Sequence, residues 1–248
     1  MQSNLIPYLI VPGAARLLDF LKQAFDAEEQ IRVPAANGGI LHAAIQAGDS
    51  IVEVADETEQ HAASPTALHL YVSDVDSTYR KALEAGAASQ YAPIDQAYGD
   101  REAAVRDPTG NFWCVATRGS GGPVPNGLHS VTPFLFTRGA DRFIAFLQLA
   151  FGAEAVACVI GEDGAVRHCQ MRLGNAMLEL SEARGEYQPM PAVLHFYVPD
   201  ADAAYHAAMT AGATSLSEPA DMPYGERSGA VRDAWDNRWY LATKFVAS

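Results

Sequence analysis

YGDREAAVRDPTGNFW occupies residues 98–113, and YGERSGAVRDAWDNRW occupies residues 224–239. Sliding the whole chain against itself by the same offset, 224 − 98 = 126, needs no gap, and about forty of roughly 113 compared positions are identical. Pro7 answers to Pro133, the segment 20–28 to 146–154, His42 to His168 and Glu53 to Glu179. Leu-His-x-Tyr-Val at 68–72 returns at 194–198. A match of this length is a duplication of a unit of roughly 115 residues. The 248 residues therefore divide into unit 1 (1–118) and unit 2 (130–248), with a linker at 119–129. In RGSGGPVPNG, residues 118–127, four Gly and two Pro deny the backbone regular structure.

Within one unit the apolar period changes in a fixed order, which is the main signal of secondary structure in a single sequence. Residues 5–11 read as a strand. Ala14, Leu17, Leu18, Leu21 and Phe25 fall at helical spacing after Pro12-Gly13, where a helix starts. Strands are predicted near 28–34, 40–47 and 50–55, the last two joined by a tight turn at Gly48-Asp49, with Gly174-Asn175 as its copy. A strand at 67–72, a helix at 74–85 closed by Gly86, and strands near 89–94, 102–107 and 112–117 complete the unit. The fold class is α+β, with βαβββ repeated twice in each unit.

The composition excludes several functions. A net charge of −13 comes from carboxylates spread along the chain, so the surface repels nucleic acid and anionic membranes. No apolar run approaches the length of a membrane span, and MQSNLIPYLIVPG at the start lacks the basic stretch of a secretory leader. Three cysteines, Cys114, Cys158 and Cys169, show no Cys-x-x-Cys spacing. They read as reduced thiols of a cytoplasmic protein. A disulfide between Cys158 and Cys169 fits their spacing across a predicted hairpin at 162–164, but that compartment argues against it.

The repeated βαβββ order, the helix from Asp74-Val75-Asp76 to Glu84-Ala85-Gly86-Ala87, and the closing motif at 98–113 resemble the vicinal-oxygen-chelate superfamily of glyoxalases, bleomycin-resistance proteins and extradiol dioxygenases. The chain is similar in particular to the PhnB-like branch. The resemblance implies that pairs of βαβββ modules curl into half-open, eight-stranded barrels around a concave site. It implies a small-molecule ligand and two units forming an intramolecular pseudo-dimer, with further homodimerisation open. It also implies metal ligands on the first, fourth, fifth and eighth strands. Those places hold Ile6 and Thr132, Glu53 and Glu179, His69 and His195, and Cys114 and Tyr240. The His/His/Glu set is thus broken in both copies, and an extradiol dioxygenase is disfavoured because its iron triad would fall on Thr132, His195 and Tyr240.

Pairing across the turn at 48–49 sets Ala44 opposite Glu53 and leaves His42 as the diagonal neighbour of Glu53 on the same face. The copy repeats this with Gln170, Glu179 and His168. Each unit therefore offers a His/Glu/His trio: 42, 53 and 69, or 168, 179 and 195. Such a trio could hold a divalent ion (Zn²⁺, Ni²⁺ or Mn²⁺), could work without metal with Glu53 and Glu179 as catalytic bases, or could be satisfied polar structure. Cys114 joins the metal candidates, although a thiol on a strand beginning Phe112-Trp113 is more often core. Tyr98, Arg101, Tyr224 and Arg227 are candidates for gripping an anionic ligand, against the alternative that each Arg pairs with a nearby Asp. Asp107 to Asn111 reads as a tight turn, and its copy loses Pro and Gly for Ala234, Trp235 and Asp236, so either that turn is less rigid or Trp235 covers something. Two functions compete: a metal-assisted lyase or isomerase acting on a polar metabolite, and a protein that sequesters a ligand without catalysis.

Overall fold

The computed structural model describes residues 4–119 and 128–245. Most of the predicted 119–129 linker lies outside the described residues. The chain resolves into two compact units that follow the two repeats apart from the first strand of each: one comprises Pro7–Phe134 and the other Asn4–Ile6 together with 135–245.

In unit 1, β1 (Leu5–Val11), α1 (Ala14–Phe25), β2 (Glu28–Pro34), β3 (Ile40–Ala47) and β4 (Ser50–Asp56) form the first βαβββ module. The second consists of β5 (Ala67–Tyr71), α2 (Val75–Glu84), β6 (Ala88–Asp95), β7 (Asp100–Arg106) and β8 (Phe112–Arg118). Unit 2 repeats the order as β9 (Val131–Thr137), α3 (Ala140–Phe151), β10 (Glu154–Ile160), β11 (Val166–Leu173) and β12 (Ala176–Glu182). It ends with β13 (Val193–Tyr197), α4 (Ala201–Thr210), β14 (Thr214–Met222), β15 (Glu226–Arg232) and β16 (Arg238–Lys244). The strands assemble into two open eight-stranded mixed sheets with β2, β6, β10 and β14 at their edges, the half-open α+β architecture that the resemblance implies. Among the described residues no helix is long and apolar enough to cross a membrane.

One face of each sheet is covered by helices. In α1, Leu17, Leu18 and Leu21 are buried, as the period of the sequence requires, and they pack with Trp113 in the core of unit 1. Phe143, Leu147 and Trp239 lie in the corresponding core of unit 2. The start of α1 is fixed from a distance. Gly13 takes the left-handed φ of 90° and offers no side-chain cap. Asp56 supplies the cap instead: Oδ1 accepts from the Gly13 and Ala14 N–H at 3.1 and 2.7 Å, and Oδ2 from the Ile40 N–H at 2.6 Å. Glu182 does the same for Gly139 and Ala140. Asp56→Ala should therefore cost about 1–2 kcal/mol, read as a lower urea midpoint at unchanged slope.

The motif that reveals the repeat is structural glue. Asp107 Oδ1 accepts from the Thr109 N–H and hydroxyl, both at 2.8 Å, and from the Asn111 N–H at 3.2 Å. Oδ2 accepts from Asn111 Nδ2 and Trp113 Nε1, each at 2.9 Å. Asp233, Asn237 and Trp239 rebuild the knot in unit 2, where burial raises the Asp233 carboxyl above its ordinary range.

Unit 2 also carries a correction. Cys158 and Cys169 were expected as reduced thiols, yet they stand directly opposite each other on β10 and β11 and are joined by a disulfide. Direct opposition in an antiparallel ladder brings the two sulfurs together. Cys114 is free.

Candidate functional site

Strand register builds the site of unit 1. Tyr91 lies opposite Ala104, Ala104 opposite Cys114, Cys114 opposite His69, and His69 opposite Thr132. Side chains across such a row share one face of the sheet. Glu102 stands two residues from Ala104 along β7, so strand alternation sends it to the same face. The donor atoms of His69, Glu102 and Cys114 consequently lie within 4.8 Å of one another. His69 and Glu102 are buried, and Cys114 is half-buried.

Three tyrosines flank this group, Tyr71 and Tyr91 half-buried and Tyr98 exposed. Tyr91 donates to Glu102 Oε1 through a short hydrogen bond, with its hydroxyl 3.7 Å from Cys114 Sγ. Tyr98 donates to Glu102 Oε2 at 2.6 Å, and Gln96 Nε2 to Oε1 at 3.3 Å. Tyr71 packs on His69 with ring centroids 4.4 Å apart and donates to Asp100 at 3.2 Å. Burial, reinforced by Cys114 and Glu102, pushes the Tyr91 phenol far above its ordinary range. Burial and the bond to Glu102 do the same for Tyr98. Both phenols therefore stay protonated donors at neutral pH, and they fix the Glu102 rotamer.

The donor set suits a divalent ion. An imidazole nitrogen, a carboxylate oxygen and a sulfur leave one position of a tetrahedral site open. Each carboxylate oxygen has two lone pairs. Oε1 already accepts twice and Oε2 once, so Oε2 has the lone pair to give.

The other sequence candidates fall into pairs. The predicted hairpin register holds, with Ala44 opposite Glu53 and Gln170 opposite Glu179. His42 Nε2 lies 3.8 Å from Glu53 Oε1, and His168 Nε2 lies 3.1 Å from Glu179 Oε1, where Gln170 also donates at 3.0 Å. Neither trio gathers as a metal-donor group among the described residues. His69 stands with Glu102, and His195 lies 3.7 Å from Glu226 Oε2. Tyr197 donates to Glu226 Oε1 at 2.7 Å, and Tyr240, opposite His195, has its phenol raised by burial. Tyr224 is exposed.

Both arginines form the Asp pairs that the sequence offered as the alternative to ligand gripping. Arg101 holds Asp76 through Nε at 2.7 Å and Nη2 at 2.9 Å, and Asp95 at 3.0 Å. Arg227 repeats this with Asp202 and Asp221. Both clamp a helix start to a strand pair, so their charge is already matched. Sequence reasoning passed over Glu102 because the repeat comparison pairs it with Ser228. Its alternation with Ala104 toward the Cys114 face was the available signal.

The same architecture recurs elsewhere. Residues 5–115 and 127–241 each match the profile of the Glyoxalase/Bleomycin resistance protein/Dioxygenase superfamily. The chain belongs to this superfamily. An uncharacterised protein of Mycobacterium bovis is 38% identical over 126 residues, covering 46% of this chain and 83% of the relative. One from Mycobacterium tuberculosis has the same identity with 74% of its own length covered. Glyoxalase I from Zea mays superimposes with a TM-score of 0.70 over 96% of this chain and 90% of its own, at 13% sequence identity. At that identity the likeness is one of fold. Two glyoxalase-superfamily units in tandem, each with open sheet edges, are thus the frame that holds the His69, Glu102 and Cys114 cluster.

Proposed function

We propose that the chain handles a small polar metabolite and that unit 1 is its metal-supporting half, with His69, Glu102 and Cys114 as ligands. The observation that carries this reading is the convergence of three different donor types within 4.8 Å. A thiol in the set favours Zn²⁺ over Mn²⁺, with Ni²⁺ between them. The chemistry such an ion supplies when bound is Lewis-acid polarisation of a substrate oxygen, which suits a lyase or isomerase. Tyr91 and Tyr98 orient Glu102, and Tyr71 seats the His69 ring. Glu53 and Glu179, both buried and each with a histidine within 3.8 Å, are the groups for proton handling. We also assign the chain to the PhnB-like branch, on the motif at 98–113.

The second reading is ligand sequestration without metal, favoured by the phenol-rich wall of Tyr71, Tyr91 and Tyr98. Metal analysis of protein purified without chelators separates the two. The proposal expects about one equivalent of Zn²⁺ per chain, falling sharply in Cys114→Ser and Glu102→Gln. Less than about 0.1 equivalent of any divalent metal, with none taken up on titration, would leave sequestration as the function.

A further inference from the structure

Unit 2 contains a cavity of about 230 Å³ whose lining includes neither His195 nor Glu226. Phe136, Pro189, Met190, Pro191 and Trp235 wall it, and Arg138 and Asp236 complete the lining. Its frame is inherited, since Leu135, Pro191 and Asn237 repeat Leu9, Pro65 and Asn111. Its walls are new. Phe136 stands where unit 1 has Ile10, Trp235 where it has Thr109, Arg138 where it has Pro12, and Asp236 where it has Gly110.

These replacements share a direction. Trp235 is pinned by its Nε1, which donates to the Arg138 carbonyl at 2.8 Å, and it leans on Phe143 with ring centroids 5.0 Å apart. Phe136 stacks on Tyr187 at 5.0 Å and an interplanar angle of 27°. Both rings are thus fixed before any ligand arrives, which lowers the entropy cost of binding. The volume suits one aromatic ring with a short substituent, since an apolar cavity of about 150 Å³ takes up benzene. Asp236 has φ 66°, in the left-handed region where Gly110 sits without strain, so its carboxylate is kept at a conformational cost. Among the described residues neither Arg138 nor Asp236 has an ion-pair partner; Arg138 Nη2 donates to Gln188 at 3.3 Å. One cation and one anion, both exposed to solvent, therefore stand without an ion-pair partner beside a half-open aromatic pocket.

We propose that this cavity is a second binding site, for a small aromatic zwitterion of the α-amino-acid class. The ring lies among Phe136, Met190 and Trp235. The ligand carboxylate pairs with the Arg138 guanidinium, and its ammonium group with the Asp236 carboxylate. The site is independent of the His69, Glu102 and Cys114 cluster and needs no metal.

The full chain, titrated with phenylalanine and followed by tryptophan emission, tests this directly. Trp113 and Trp239 are fully buried, so a ligand in the cavity reports through Trp235. The expected result is a saturable change, lost in Trp235→Phe, with a parallel rise in thermal midpoint that does not depend on emission. Arg138→Gln should weaken binding about tenfold, as should Asp236→Gly, because each removes one charge-assisted contact. The glycine variant should fold normally, since it restores the unit 1 residue at a glycine-friendly φ. Benzoate and benzylamine, each lacking one charge, should bind about tenfold more weakly than phenylalanine. Equal affinity for all three ligands, wild-type affinity in both charge variants, or no saturable response from the wild type would overturn the proposal.

Discussion

Asp107→Ala should be among the most damaging single substitutions in unit 1, costing about 3–5 kcal/mol. The carboxylate takes five hydrogen bonds, from the Thr109 N–H and hydroxyl, the Asn111 N–H and side-chain amide, and the Trp113 indole. Asp107, Asn111 and Trp113 are all buried, so water cannot replace the lost acceptor. For a unit of this size the cost corresponds to a fall of roughly 10–20 °C in the thermal midpoint. Asp107→Asn is the informative companion. It keeps the shape and one acceptor oxygen but places an amide among donors, so it should lose a substantial part of the same stability. A midpoint within about 2 °C of wild type for the alanine variant would mean that the knot does not anchor the last strand.

His69→Ala should lower Zn²⁺ affinity by at least about a hundredfold, more than the 10- to 100-fold typical of an outer-shell change. His195→Ala should leave it within about threefold. The asymmetry follows from what each histidine meets. His69 shares a donor group with Glu102 and Cys114. At the equivalent places in unit 2 stand Ser228 and Tyr240, and His195 has Glu226 as its acidic neighbour at 3.7 Å. Competition against a chromogenic chelator measures both affinities, and circular dichroism reports whether the variants remain folded. Equal losses in the two variants would remove the metal site from unit 1. Tyr98→Phe should produce an intermediate effect of about tenfold, because it frees the Glu102 carboxylate to rotate without removing a ligand.

Much of this molecule is legible in its sequence. The offset between the two closing motifs revealed the duplication, and alternation of apolar periods located the strands and helices to within a residue or two. Gly48-Asp49 fixed the register that sets Ala44 opposite Glu53, because a two-residue turn leaves one pairing and a slip would invert every side chain. The His42–Glu53 and His168–Glu179 pairs follow from that register alone. These features are local, set by neighbours within one hairpin or by comparison of one copy with the other.

The cluster around His69 depends on strands that are distant in sequence. Cys114 meets His69 because β5 and β8 pair in parallel, and Glu102 reaches both from β7. The repeat comparison points away from Glu102, since its copy is a serine. The choice of partner for Arg101 was likewise beyond the sequence, which offers many carboxylates and does not rank Asp76 and Asp95 above the rest. By itself the sequence determined the fold, the duplication and the hairpin pairs. Tertiary structure alone decided which donors converge, which arginines are already neutralised, and where Trp235 closes a cavity. The physical reason is that periodicity and turn chemistry act over a few residues, whereas a site is chosen by the register of strands that meet only once the chain has folded.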